Sequence, residues 1–430
     1  MEERHLERDK RSEARGFALE LAAALQGHGA SAPKIEALID GVSLKLGVDT
    51  QVFMTPTALM ATWGQASRGH TALVRVRAGG VDLDRLASLE AVAGLVGEGR
   101  MSTRAGRAVV SAIVGAPDRY GAWMTTGSFG LASAASARFF GGGWRESAAA
   151  LVVGLCVGLL GLALSRRQST APLFELVGAG AATALALWLG GVMGPMSPQI
   201  VLMSGIVVLL PGFTLTVAVS ELSAGHLLSG ASRLLKGLSS LLALGVGTAL
   251  GGQLAWALGA PSLGAPQPLP WWTEVLALVV ATMASVAIFQ ARLKDAPVIV
   301  AAGAVAFWGA SAGTALLGPQ LGTFLGAFAV GMAGEFYARV SGRPAAIPQV
   351  PGIMLLVPGS VGFRSVTAFL EGDPTRGIES AFSMGMVAVC LVTGLLAATA
   401  LVDITQSGGF LERRRSAGRD PIGGEGQAER

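Results

Sequence analysis

Charge is what this chain has least of. Only 14% of its 430 residues are Asp, Glu, Lys or Arg, where a soluble domain carries about 25%. So little charge cannot cover a water-facing surface, and with 51% hydrophobic residues most of the chain must face lipid. Cysteine is nearly absent. Cys156 and Cys390 both sit in apolar stretches, which excludes a disulfide framework and leaves each as a small packing residue. The start, Met1-Glu2-Glu3-Arg4-His5-Leu6-Glu7-Arg8, has no apolar core region, so no secretory signal is expected. No two ligand-type residues stand at metal-site spacing in the polar N-terminal part. The one G-x-S-x-G string, Gly309-Ala310-Ser311-Ala312-Gly313, lies inside an apolar span. It lacks the strand–turn–helix context of a nucleophile elbow and reads as small residues packing a helix. No cofactor and no enzyme activity are implied.

The apolar residues are unevenly spread. Residues 1–16 read as a disordered tail and 17–116 as a small α+β domain. Its helical periodicity runs over Phe17–Gln26, Pro33–Leu46, Leu83–Gly97 and Ser102–Ile113, with strand-like alternation over Thr50–Thr55, Ala58–Trp63 and Thr71–Arg77. Residues 117–260 and 271–405 are nearly continuous membrane sequence, and 411–430 form a polar tail expected to be disordered. Windows of about 20 residues predict spans near 120–140, 147–165, 171–193, 199–222 and 231–258. Five more fall near 272–290, 295–314, 319–339, 347–370 and 378–404. The fold class expected is a polytopic α-helical membrane protein of ten helices preceded by a small α+β cytoplasmic domain.

Positive charge falls on every second connection. Arg166 and Arg167, Arg233 and Lys236, Arg292 and Lys294, Arg339 and Arg343, and Arg413 to Arg415 follow the even-numbered spans. Gly194-Pro195-Met196-Ser197, Gly259 to Pro270 and Leu317-Gly318-Pro319-Gln320 carry none. This alternation places the even loops and both termini in the cytoplasm. It also accounts for the net charge of +4 without nucleic acid as a partner.

The two membrane halves repeat. Gly205-Ile206-Val207-Val208-Leu209-Leu210-Pro211-Gly212 recurs 147 residues later as Gly352-Ile353-Met354-Leu355-Leu356-Val357-Pro358-Gly359. The same offset pairs Gly225 with Gly372, Gly230 with Gly377 and Gly247 with Gly394. A repeat of five spans inverts the second half in the membrane, the architecture of a transporter that works by alternating access. Glycines at small-xxx-small spacing, Gly154/Gly158 and Gly318/Gly322/Gly326, let helices approach closely and need no binding role.

Pro-Gly breaks spans four and nine near their middle, freeing backbone groups and starting new half-helices with a positive dipole end. Around the breaks stand Thr214, Thr216 and Ser220 in the first copy, and Ser360, Arg364, Ser365 and Thr367 in the second. Pro211, Gly212, Thr214, Thr216, Pro358, Gly359, Ser360 and Arg364 are the candidate substrate-binding residues, suited to a carboxylate. The competing reading is a plain kink with hydroxyls bonded to local carbonyls, and for Arg364 a side chain snorkelling to the outer surface. Glu175, Glu221 and Glu335 are candidate proton carriers, since a carboxylate in low dielectric titrates nearer neutrality. Against this, Glu335 stands four residues before Arg339 and suits a simple ion pair.

Several strings together resemble one family. Gly29-Ala30-Ser31-Ala32-Pro33-Lys34-Ile35-Glu36, Leu46-Gly47-Val48 and Phe53-Met54-Thr55-Pro56-Thr57 resemble the start of the threonine/serine exporter family. Phe139-Phe140-Gly141-Gly142-Gly143-Trp144, Leu210-Pro211-Gly212 and Val357-Pro358-Gly359 match its membrane part. The likeness covers roughly 20–405 and corresponds to the form that fuses both halves. It implies a ten-span bacterial inner-membrane exporter of threonine and serine driven by the proton motive force, behind a cytoplasmic head sometimes described as hydrolase-like. Many members have Arg-Val-Glu where this chain has Lys34-Ile35-Glu36. Relatives with split halves are linked to succinate export. The expected partners are therefore a small-molecule substrate, lipid and protons, with homo-oligomerisation left open. A dicarboxylate exporter and a membrane-anchored hydrolase are the alternatives. The first would demand more fixed positive charge than Arg364 supplies, and the second would have no need of a repeat.

Overall fold

The computed structural model describes residues 2–64, 69–76, 79–165, 170, 173–258 and 264–417. The head opens with α1 (Glu2–Gly27) and α2 (Ala32–Lys45), followed by β1 (Thr50–Thr55), β2 (Ala58–Trp63) and β3 (His70–Arg75). It closes with α3 (Leu83–Gly97) and α4 (Thr103–Gly115). Each boundary has a local cause. Ser31 with Pro33 starts α2, and Gly47, at φ +68°, follows its end. The Asp82 carboxylate caps α3 by accepting from the Arg85 N–H at 2.8 Å. The Ser102 hydroxyl does the same for α4, accepting from the Ala105 N–H at 3.2 Å.

The strands form an antiparallel meander, β1-β2-β3, with Thr50 opposite Trp63 and Trp63 opposite His70. Period-two alternation turns Leu59 and Ala61 inward, Leu59 into the core of Phe17, Leu21, Leu25, Ile35, Ile39 and Leu89, and Ala61 into a smaller one with Ala14, Val48 and Trp63. Met1 lies outside the described residues, and the rest of the segment 1–16, expected to be disordered, is instead the first part of α1. Its lower turns bury Ala14 and Phe17, and the helix simply continues backward from that anchor.

The membrane body begins with α5 (Ala122–Phe139), α6 (Trp144–Ser165) and α7 (Phe174–Met193). A broken element follows, α8 (Pro198–Gly205) and α9 (Gly212–Ser223) joined by a 3-10 turn at Val207–Leu209, and then α10 (Leu227–Leu258). The second half holds α11 (Trp272–Ile288), α12 (Ala296–Leu317) and α13 (Pro319–Ser341). Its own broken element is α14 (Ala346–Met354) with α15 (Gly359–Leu370), and α16 (Pro374–Ala417) ends the described chain. Thus the stretch from 411, expected to be a disordered tail, is helical to Ala417, and 418–430 lie outside the described residues, as do Arg166 and Arg167.

Among the described residues, seven segments are long and apolar enough to cross a membrane, eight with α8–α9, which bends by 47° at its break. The other two of the ten expected segments fall short for different reasons. Helix α11 has only 17 residues, and α5 is diluted by Thr125, Thr126, Ser128, Ser133, Ser136 and Arg138.

Packing in the two halves is reciprocal. Helix α10 packs on α7 and α9, as α16 does on α13 and α15. Helix α8 packs on α6 and α7, as α14 does on α12 and α13. Across the halves, α15 reaches α10 while α9 reaches α16, and α5 lies against α11.

The head sits on one end of this bundle. The Leu83 N–H donates to the Phe289 carbonyl at 2.9 Å, and Tyr120 Oη donates to the Ala291 carbonyl at 2.8 Å. Leu83 and Ala87 share a buried cluster with Phe289, Ala291, Ile299 and Ile347 of the membrane body. At the opposite end the odd-numbered connections meet one another. Glu146 accepts from the N–H groups of Gly143 at 2.9 Å and Ser197 at 3.0 Å, and the Gly264 N–H donates to Met196 O at 3.0 Å.

Candidate functional site

The two Pro-Gly breaks touch. Pro211 and Pro358 stand at matching helix starts, with φ/ψ of −78°/32° and −80°/14°. Both depart from helical ψ because the preceding residues follow a different axis. A Cβ on Gly212 would lie 2.7 Å from Val357 Cγ2 and 3.0 Å from the Gly359 N–H nitrogen. A Cβ on Gly359 would lie 3.1 Å from Gly212 Cα. Only two glycines let these backbones approach so closely, and the positive ends of α9 and α15 are thereby brought together.

Beside the crossing is a cavity of about 160 Å³, lined mainly by Phe139, Phe140, Leu210, Phe307, Val357 and Ser360. Its lining is apolar apart from Ser136 and Ser360, and Ser136 donates back to Ala132 O at 2.8 Å. Of the residues singled out from the sequence, Gly359 and Ser360 line it, and Pro211, Gly212 and Pro358 shape the crossing behind it. Thr216 is buried but donates to Gly212 O at 3.0 Å, four residues back, which is the local role of a helix hydroxyl. Thr214 is half-buried on α9 outside the cavity lining. Arg364 is exposed and lines neither this cavity nor the larger one beyond it. Ser365 is buried and donates to Gly377 O at 2.7 Å, tying α15 to α16.

The three acidic residues part company as well. Glu221, fully buried, accepts from Arg233 Nε at 3.0 Å, Ser229 Oγ at 2.7 Å and the Ala32 N–H of the head at 3.1 Å. Glu36, four residues further along α2, faces His226 at 3.4 Å. Burial pushes the Glu36 carboxyl above its ordinary range, against the opposing pull of His226. The string Ala32 to Glu36 is therefore a docking surface for the α9–α10 corner. Glu175 accepts from Ser240 Oγ at 2.7 Å, linking α7 to α10. Glu335 is half-buried, with no ion pair or hydrogen-bond partner among the described residues, because Arg339 turns away and donates to Val402 O at 3.2 Å.

Three functional-looking groups escaped sequence reasoning. Glu146 is buried, and its place three residues after Gly143 at the start of α6 is a capping-box spacing that could have exposed it. Asp295 is buried against Arg343, a pairing across 48 residues that no local pattern announces. The third is the polar cavity next to Phe363, whose members come from four helices. No group of three metal-ligating side chains occurs among the described residues.

Residues 16–255 match a family model described as threonine/serine exporter, and residues 274–401 match a second described as Threonine/Serine exporter, ThrE. The chain is 25% identical over 419 residues to "Pheromone-regulated membrane protein 10" of Saccharomyces cerevisiae, covering 90% of this chain and 54% of that one. The Candida albicans protein of the same name is 25% identical over 365 residues, covering 81% and 33%. The chain thus spans about half the length, or less, of the curated relatives it matches. No solved structure matches it.

Proposed function

Because the chain belongs to the threonine/serine exporter family, we propose that it exports small amino acids of the threonine/serine class across a bacterial inner membrane by alternating access. The observation that carries this reading is the contact between Gly212 and Gly359, where two half-helices from the two halves of the chain meet. Such a crossing gives each half a broken element that can tilt about its Pro-Gly joint while the other holds.

Ten crossings in two inverted halves follow from the same reading. The head binds the connection after α11 through Leu83 and the last turn of α9 through Ala32, while Gly143, Ser197 and Gly264 gather at the far end. Helices α5 and α11 run the same distance. Tyr120 beside α5 binds Gln290 at the head end, and Arg138 binds Glu274 at the other. The reciprocal contacts of α9 with α16 and of α15 with α10 support this reading. With the even loops basic, the head and both termini lie in the cytoplasm.

Pro211, Gly212, Thr214, Thr216, Pro358, Gly359 and Ser360 then form the joint along which substrate passes. Arg364 would meet a substrate carboxylate only in another state of α15. Among Glu175, Glu221 and Glu335, the unpartnered Glu335 is the best proton carrier, since the other two are already bound.

Counterflow of labelled threonine, serine and succinate in proteoliposomes tests the proposal. Threonine and serine should exchange, efflux should respond to an imposed pH gradient, and Glu335→Gln should abolish that response while counterflow persists. Exchange of succinate alone would replace the amino-acid reading, and indifference of the wild type to pH would remove the proton.

A further inference from the structure

A second cavity, of about 240 Å³, lies one helical turn and more beyond the crossing, between α7, α8, α10 and α15. Its wall carries Thr183, Gln199, Thr248, Thr367 and Glu371, and Phe363 lies at its boundary. Phe363 is fully buried. The smaller cavity is lined by Ser360, one turn earlier on the same helix. Glu371 and Gln199 stand toward the end of the bundle away from the head, near Ser197.

Two observations set this cavity apart from a packing defect. The Thr248 hydroxyl is buried and has no hydrogen-bond partner among the described residues, an arrangement that is unfavourable unless something is there to bond it. The other half of the chain does not repeat the chemistry. At the 147-residue offset, Thr183, Gln199, Thr248 and Glu371 correspond to Val330, Ala346, Leu395 and Ala224, and only Thr367 has a hydroxyl counterpart, Ser220. Helix packing that is served by valine, alanine and leucine in one half has no need of hydroxyl, amide and carboxylate in the other.

We propose that this cavity is the outward-side binding site for the transported molecule, and that it selects a small zwitterion bearing a hydroxyl over a dicarboxylate. The inference rests on the exporter reading above and deepens it. The Thr248 hydroxyl and the Gln199 amide can both donate and accept, matching a carboxylate and a hydroxyl. Thr183 and Thr367, whose hydroxyls donate to Ala179 O at 2.8 Å and Arg364 O at 3.1 Å, are left as acceptors, and Glu371 supplies the one charge, suited to an ammonium. No Lys or Arg lines the cavity, and Glu371 stands at its exposed edge, so a dicarboxylate entering there meets a like charge and no fixed positive one. The volume lies below the roughly 300–1,000 Å³ of sites for drug-sized ligands and suits a metabolite of amino-acid size.

The test is threonine counterflow by the full chain in proteoliposomes, comparing wild type with Thr248→Val, Thr248→Ser and Glu371→Gln. Thr248→Val and Glu371→Gln should each raise the threonine KM about tenfold, the loss expected of one buried or charge-assisted hydrogen bond. Thr248→Ser should restore it, which a purely structural role of the methyl-bearing side chain would not predict. Excess succinate should leave wild-type threonine exchange unchanged. Variants that keep the wild-type KM at normal protein levels, in a wild type that exchanges threonine, overturn this site alone. A wild type that exchanges neither threonine nor serine overturns the exporter reading and the site with it.

Discussion

A carboxylate with no exposed surface needs every lone pair answered, and Glu221 shows how this chain meets that need. Arg233 supplies the counter-charge, Ser229 a hydroxyl, and Ala32 a backbone N–H from a different domain. Removing one member leaves the rest buried and unpaired, the situation in which loss of a partner costs about 3–5 kcal/mol. Glu221→Ala should therefore lower the thermal midpoint of the detergent-solubilised protein by several degrees. Arg233→Gln should do nearly the same, and the double variant should cost clearly less than the two together. Additive losses would show that the pair is not coupled and that Glu221 acts only through the head. The same logic separates the acidic residues that looked alike in sequence. All three are single glutamates at the edge of apolar spans, and only tertiary partners distinguish a bound one from the unpartnered Glu335. The sequence spacing of Glu335 and Arg339 suggested an ion pair, but the arginine finds a carbonyl of α16 instead.

At the scale of elements, the sharpest feature is the crossing of α9 and α15. Gly212→Ala would put a methyl 2.7–3.0 Å from Val357 and the Gly359 backbone, where overpacking costs about 1–3 kcal/mol. The equivalent Gly359→Ala is looser, its nearest contacts beginning at 3.0 Å. Gly212→Ala should thus slow threonine counterflow more than Gly359→Ala, with both proteins still present in the membrane. Equal rates in the two variants would mean that the crossing does not move during transport. These breaks were legible in the chain because proline and glycine are the residues that interrupt a helix, and the fixed offset marked them twice. The helices and strands of the head were equally legible, from helical periodicity and from the alternation over β1, β2 and β3. What sequence could not supply was direction around the helix. Arg364 lies five residues after Gly359 on α15, and the rotation of α15 carries it to the exposed side while Phe363 and Thr367 turn inward. The polar cavity was hidden for a related reason: Thr183, Gln199, Thr248 and Glu371 are unremarkable singly, and only the packing of four helices assembles them.

The whole molecule is not a soluble domain tethered to a bundle, since α3 shares its core with Phe289, Ile299 and Ile347 of the membrane body. The joint is also electrostatic. Asp84 binds Arg119, at the entry to α5, and Arg292, in the connection after α11. Burial alone would raise its carboxyl, but the hydrogen bonds and charges of Arg119 and Arg292 outweigh that and hold it below the usual carboxylate range. A group depressed in the folded state contributes stability above its unfolded pKa, about 3.9 for aspartate, and loses it only as the pH falls through the lower folded value. Docking of the head through Asp84 should therefore be constant from neutral pH down to about pH 4 and weaken in more acidic solution. Asp84→Asn removes the charge at every pH. Its thermal midpoint should lie below that of the wild type at pH 7 and converge with it in acid, once the pH has fallen below the depressed folded value. A gap that persists unchanged into strong acid would show that the asparagine acts through packing. No gap at pH 7 would mean that the apolar contact of Leu83 and Ala87 holds the head by itself.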